Sequence, residues 1–269
     1  MYLSNPEDFQ KHLFRNEDGF LCAVYQGYTF SSVFQPIKTT DGNVFGYEGL
    51  VRIKDETSNI IRPDLFFRDP SLSFIDIINT SLLCASIHLR NFAQSGKSDK
   101  KIFINASPLV FQVLSHDAKS IQILLSFLQM FSLHPSQLVY EIMEFDEGNI
   151  QEILNGAKVL SEYGITVAMD DFGQCASNAS RAKILLPSII KLDKSLLDNF
   201  INRDDLDLVD SIELAKSIGA QVILEGLETK EQLDKLAHLD IDMFQGFYLG
   251  KPAPLSPQDP AIKLKSTQP

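Results

Sequence analysis

Several features are scarce in this sequence, and each scarcity closes a route. No apolar stretch reaches the ~18–20 residues that a membrane-spanning helix needs. The longest candidate, IQILLSFLQMF from Ile121, is interrupted by Gln122, Ser126 and Gln129. The start, MYLSNPEDFQKHLF, lacks the basic-then-apolar pattern of an export signal. Cysteine occurs three times, at Cys22, Cys84 and Cys175. An odd number at wide spacing suggests neither a disulfide framework nor a zinc site. The five histidines, His12, His88, His116, His134 and His238, form no HxxxH or HExxH pattern. Positive charge is also short: 24 Lys and Arg face 35 Asp and Glu, a net charge of −11. Such a surface argues against non-specific nucleic-acid binding, yet leaves room for an anion held by metal ions. Together these absences set an expectation of a reducing, cytoplasmic setting, with neither nucleic acid nor membrane as partner.

What is present is an alternation. The chain has 269 residues, 44% hydrophobic and 22% charged, within the ordinary range for a globular protein. Helical periodicity is read at about 72–92, again from Ser107-Pro108, and near 121–131, 149–163 and 206–218. Thr229-Lys230-Glu231-Gln232 reads as a capping box opening a helix to Leu239. Short apolar runs lie between the helices. Repeated β–α units of this kind predict parallel strands covered by helices. No Gly-rich phosphate turn marks a doubly wound sheet. A closed (β/α)₈ barrel, of ~250 residues, fits the length better.

Seven of the apolar runs end on a polar residue. They are FGYE (Glu48), KIFIN (Asn105), LVYE (Glu141), TVAMDD (Asp170, Asp171), SIIK (Lys191), QVILE (Glu225) and MFQ (Gln245). In a β/α barrel the C-terminal strand ends share one mouth, so all seven would converge. Adjacent aspartates at a buried strand end repel and resist leaving water. A solvated turn with a helix N-cap is one account of Asp170 and Asp171. A bound cation is another. With only Lys191 to balance five carboxylates, two divalent cations with oxygen ligands, Mg²⁺ or Mn²⁺, would complete the site. Such a set suits phosphoester hydrolysis, and it also serves enolising barrel enzymes whose lysine is the base.

Eight segments carry a resemblance. They are FQPI at Phe34, YEGLVR at Tyr47, INASP at Ile104, YEIME at Tyr140, AMDDFG at Ala168, IIKLDKSLL at Ile189, LEGLET at Leu224 and FQGFYLGKPAP at Phe244. From about Phe34 to Pro254 the chain resembles EAL-domain phosphodiesterases of cyclic diguanylate (c-di-GMP). The resemblance implies a modified TIM barrel, an α/β fold whose first strand runs antiparallel to the others. It implies hydrolysis of c-di-GMP to linear pGpG with two Mg²⁺ or Mn²⁺, by a homodimer. It makes Glu48, Asn105, Glu141 and Asp170 ligands of one metal. Asp170 would bridge to the second, served by Asp171 and Glu225, the latter through water and as a general base. Lys191 would hold and activate the attacking water, with Glu228 and Gln245 supporting it. Gln35, Leu50 and Arg52 would meet the dinucleotide, Arg52 as a charged clamp. Glu144 would anchor the loop that joins a dimer interface to the metals.

Residues 1–29 are read as an N-terminal extension packed on the barrel, 30–256 as the barrel, and 257–269 as a tail. Three departures stand out. Gly49 replaces the alanine of the Glu-Ala-Leu signature. Met143 replaces the usual threonine. Gln174-Cys175-Ala176-Ser177-Asn178 replaces Thr-Gly-Tyr-Ser-Ser. The alternatives are a catalytically silent EAL domain that binds c-di-GMP or a protein, and a divergent barrel hydrolase acting on another nucleotide.

Overall fold

The computed structural model describes residues 3, 6–97, 99–116, 118–142, 150–173, 178–203 and 206–257. Met143, Glu144, the segment 174–177 with Cys175, and the tail from 258 lie outside the described residues. No helix among the described residues is long and apolar enough to cross a membrane.

The barrel strands are β3 (Tyr28–Thr39), β4 (Val44–Lys54), β6 (Lys101–Ala106), β7 (Leu138–Ile142), β8 (Thr166–Phe172), β9 (Ile189–Leu192), β10 (Gln221–Leu224) and β11 (Met243–Gln245). They are hydrogen-bonded in that order, and β11 returns to pair with β3, closing an eight-stranded ring. β3 is antiparallel to both its neighbours, β4 and β11. The remaining pairings around the ring are parallel. A tight turn joins β3 to β4, so this pair is antiparallel with no crossover helix.

Outside the ring, β1 (Leu13–Arg15) and β2 (Leu21–Tyr25) extend the sheet antiparallel from the first half of β3. β5 (Ile60–Ile61) adds to the far edge of β4. Helices α3 (Phe74–Gln94), α4 (Pro108–His116), α5 (Ala118–Met130), α6 (Ile150–Glu162), α7 (Asn178–Leu185), α8 (Lys194–Arg203), α9 (Asp207–Ser217) and α10 (Lys230–Leu236) follow the strands. Two short helices, α1 (Pro6–Gln10) and α2 (Pro63–Phe67), precede α3. Ser73 starts α3 with a reciprocal cap: its hydroxyl accepts from Asp76 N–H at 3.2 Å, and its own N–H donates to Asp76 Oδ2 at 3.1 Å. The box at Thr229 is present too, Thr229 Oγ1 accepting from Gln232 N–H at 3.2 Å. Its helix stops at Leu236 rather than Leu239. α8, directly after β9, adds to the helices that periodicity predicts.

Two apolar layers hold the ring. The outer one packs strands against helices, through residues such as Ile104, Phe111, Leu138, Leu160, Ile190 and Leu224. The inner one fills the bottom of the barrel with Ile37, Phe103, Val139, Ala168, Ile189, Ile223 and Met243. Residues two apart on a strand share a face. The inner apolar layer therefore determines what lies above it: Gln35, Asn105, Glu141, Asp170, Lys191, Glu225 and Gln245 are each two positions further towards the mouth.

Candidate active site at the barrel mouth

The centre of the mouth is the Lys191 ammonium. It is only 2% exposed and ion-paired to Glu225 (2.7 Å), Glu141 (2.8 Å), Asp170 (2.8 Å) and Glu48 (3.7 Å). Burial pulls the Lys191 pKa down, but the four carboxylates together overcome it and hold the group well above the usual lysine value. In each of these contacts the Lys191 ammonium is the donor. The carboxylates respond in the opposite sense. Burial pushes Glu141 well above the usual range, with Lys191 opposing and Glu48 and Asp170 adding to the rise. Glu225 is raised to about 8, first by burial, then by Asp170 and Glu48 against the pull of Lys191.

Amides set the orientation of Glu48. Asn105 Nδ2 donates to its Oε1 at 3.0 Å, and Gln245 Nε2 to its Oε2 at 2.6 Å. Gln245 Nε2 also reaches Gln35 Oε1 at 3.2 Å, and Gln35 Nε2 donates to Gly250 O at 3.2 Å. All seven polar strand ends are thus joined directly or through Glu48 and Lys191. Two residues depart from strand-end placement: Glu48, which lies within β4 because that strand runs on to Lys54, and Asp171. β8 does not stop at Asp170 but runs on to Phe172, which pairs with Leu192. Asp171 sits in a bulge with φ +53°. On a regular strand, neighbouring residues point to opposite faces. The bulge, at a backbone cost of ~1–2 kcal/mol for an L-residue in this region, brings both aspartates to one side. Asp170, Asp171 and Glu225 then offer carboxylate oxygens all within 4.8 Å of one another.

These residues fit divalent cations. Four carboxylates surround one ammonium. Among the described residues Glu141 Oε2 is buried with no hydrogen-bond partner, while the buried Glu141 Oε1 and Asp170 Oδ1 meet the Lys191 ammonium at 2.8 Å. An oxygen-only, strongly negative donor set of this kind suits Mg²⁺ or Mn²⁺.

A cavity of about 420 Å³ opens above the cluster, walled on one side by Gln35 and Leu50 and on the other by Glu228 and Phe247. Glu228 does not touch the Lys191 cluster; it faces the cavity held by Lys194 Nζ at 2.6 Å. Arg52 does not line the cavity. It is exposed at the rim, ~13 Å along β4 from Glu48, with Nη1 donating to Val51 O at 3.0 Å. Besides Gly226 and Gly246, two further residues line the cavity without any role expected from the sequence, Lys194 and Phe247. Each lies inside one of the eight segments, but neither ends a strand, so the strand-end pattern passes over them. Gly226 has φ +75° and lies against the Lys194 stem, where a Cβ has no room.

Gly49 has a local cause. A Cβ there would approach the His88 ring at 3.0–3.3 Å. His88, from α3, is buried beneath the signature strand, with Nδ1 2.8 Å from Ser32 Oγ and its ring edge-on to Phe34. The imidazole occupies space that the signature methyl would otherwise take.

Comparison with known proteins bears on this arrangement directly. The EAL domain family model matches residues 22–252. The chain belongs to the EAL domain family. The cyclic di-GMP phosphodiesterase PdeF of Escherichia coli K12 is 28% identical over 238 residues, covering 84% of this chain and 30% of PdeF. Among solved structures, the PaMucR phosphodiesterase in its c-di-GMP complex superposes with a TM-score of 0.71 at 25% identity, covering 84% of this chain and 92% of that one. The Bacillus subtilis YkuI protein, with an EAL domain and solved with c-di-GMP and calcium, gives 0.72 at 27% identity, covering 84% and 56%. The chain spans less than a third of the length of curated relatives such as PdeF.

Proposed function

We propose that this chain hydrolyses c-di-GMP to linear pGpG. The observation that carries the reading is the buried Lys191 ammonium ringed by Glu48, Glu141, Asp170 and Glu225 at the barrel mouth. Its support from outside is the likeness to EAL-domain proteins known with this dinucleotide.

In this reading Glu48, Asn105, Glu141 and Asp170 hold one divalent cation, and Asp170, Asp171 and Glu225 a second. The cations, Mg²⁺ or Mn²⁺, supply positive charge against the scissile phosphate and acidify the attacking water. The chain does the rest. Gln35 and Leu50 seat the nucleotide in the cavity, and Arg52 reaches its outer part from the rim. Glu225 takes the proton of the attacking water as the oxygen bonds to phosphorus. The bond to the leaving ribose oxygen breaks, and that oxygen collects a proton. Lys191 stays protonated, orients the water and stabilises the charge that gathers on phosphate. Gln245 keeps Glu48 aligned, and Glu228 with Lys194 borders the entrance. A cytoplasmic homodimer, with Glu144 anchoring the loop to the interface, belongs to the same reading and rests on the resemblance alone.

Incubation with c-di-GMP and Mg²⁺ or Mn²⁺, followed by chromatography, tests this. Release of pGpG is expected, abolished by chelator and by Ca²⁺ alone, whose longer ligand distances of roughly 2.3–2.6 Å position water poorly. Tight binding of c-di-GMP without turnover replaces this reading with a silent module. Turnover of another cyclic nucleotide, but not of c-di-GMP, replaces it with a divergent hydrolase.

A further inference from the structure

A second cavity, of about 160 Å³, lies where β1 and β2 meet the end of α3 and the residue after α5. It shares no lining residue with the mouth. Leu13, Leu21 and Phe131 form its apolar wall, and Arg15, Arg90 and Gln94 its polar side. We propose that this cavity binds a small organic anion, a carboxylate or phosphate monoester carrying an apolar group, clamped between Arg15 and Arg90.

The argument rests on what the two arginines lack. In a chain of net charge −11, acids are plentiful. Yet among the described residues no carboxylate pairs with either arginine. Arg90 is half-buried, stacked 5.1 Å from the Phe131 ring centre, and its Nε is buried with no hydrogen-bond partner. A buried, unsatisfied charged donor is costly. Arg15 Nη1 donates to Gly19 O at 2.5 Å and to Gln94 Oε1 at 3.2 Å, and the second bond turns its guanidinium to the same cavity. Both acceptors are neutral, so no carboxylate among the described residues offsets the charge of the exposed Arg15. Burial first, and then Arg15, press Arg90 towards its neutral form. An anion between the two guanidinium groups that line the cavity would offset that repulsion. The size of the cavity and its wall narrow the class. A dry apolar cavity of ~150 Å³ holds a single benzene ring. A ring-sized apolar group against Phe131, with its acid group towards the arginines, matches both the volume and the division of polarity.

Thermal melts of the metal-free protein in chloride buffer test this, with benzoate, phenyl phosphate and benzyl alcohol as probes. Benzoate or phenyl phosphate at about a hundred times its Kd is expected to raise Tm by several degrees, while benzyl alcohol leaves it unchanged. Arg15→Gln alters an exposed side chain and should remove the shift. Arg90→Gln should do the same, and Arg90→Lys should weaken it, since lysine lacks the fork. Glu48→Ala should retain it. Calorimetric titration of benzoate into Arg15→Gln gives the same answer without reference to stability: no heat of binding is expected. The proposal is overturned if neither anion shifts Tm, if both arginine-to-glutamine variants keep the shift, or if Glu48→Ala loses it.

Discussion

Inside the barrel, two layers lie two residues apart on the same strands and have opposite chemistry. The lower layer, with Phe103, Val139, Ala168, Ile189, Ile223 and Met243, is apolar. The upper layer, with Asn105, Glu141, Asp170, Lys191, Glu225 and Gln245, is charged or amide. Burial reaches both, Val139 and Glu141 each at 0% exposure. A fully buried aliphatic side chain contributes about 1.5–3 kcal/mol. A buried carboxylate costs several kcal/mol unless it is compensated. The contrast shows where the fold derives its stability and where it gives some up to concentrate negative charge. Lys191 lessens that charge without cancelling it, and the surplus is what divalent cations would meet.

The comparison is broken most severely by removing charge from the upper layer. Under the proposed function, Glu48→Ala and Asp170→Asn should each abolish turnover, as the first removes a carboxylate that would bind metal and the second replaces one with a neutral amide. Wild-type pGpG release by either variant would contradict the assignment. In the lower layer, Phe103→Ala should cost ~3–5 kcal/mol of unfolding free energy, measured in urea. Its dependence on Mg²⁺ or Mn²⁺ should not change, since the lost ring lies below the ligands.

His88 extends the comparison to a buried titratable group with no acid beside it. Burial, and after it Arg52, depress its pKa to about 3. The unfolded chain titrates near ~6.5, so between these values the unfolded state binds more protons and stability rises with pH. His88 taken alone should contribute a loss of roughly 4 kcal/mol as pH falls from 6.5 towards 3. His88→Gln should remove most of that slope in denaturation curves taken across this window. An unchanged slope would show that His88 is not its source.

Lys191→Ala sharpens the contrast within the upper layer. It should lower kcat by about 10²-fold, the loss of one preorganised donor, with little change in c-di-GMP affinity measured in Ca²⁺. Loss of affinity in step with rate would assign Lys191 to binding instead. The smallest effect is expected at Gly49. Restoring the signature alanine presses on the His88 ring and should cost ~1 kcal/mol, at the low end for added core volume. The cost should shrink when His88→Ala is made in the same chain. A fixed cost in both backgrounds would show that the ring is not what limits this position.

Much of the mouth is legible in the amino-acid sequence. In a β/α barrel the polar residues that close the apolar runs are expected to share one mouth, and Glu48, Asn105, Glu141, Asp170, Lys191, Glu225 and Gln245 do form one network. The Thr229 cap is readable because its hydrogen bonds span three residues. Signals of this kind are local: a period or a short spacing survives in the sequence as composition. The bulge at Asp171 is not readable, since it depends on how β8 is paired with β9 rather than on Asp171 itself. Lys194 and Phe247 escape for a related reason, since loops after the strands carry no period.

The alternation of strands and helices from β6 onward, the polar residues that close its apolar runs and the Thr229 cap were determined by the sequence alone, because each follows from neighbours a few residues apart. The tertiary structure decided the rest. Closure of β11 onto β3 brought Gln245 to Glu48, 197 residues away, and ringed Lys191 with four carboxylates. The packing of α3 on β4 placed His88 where Gly49 has no side chain. The docking of β1 against the end of α3 set Arg15 beside Arg90. Such contacts depend on how a ring closes and what packs on it. No short-range pattern encodes those distances, because they arise only when distant apolar faces are buried together.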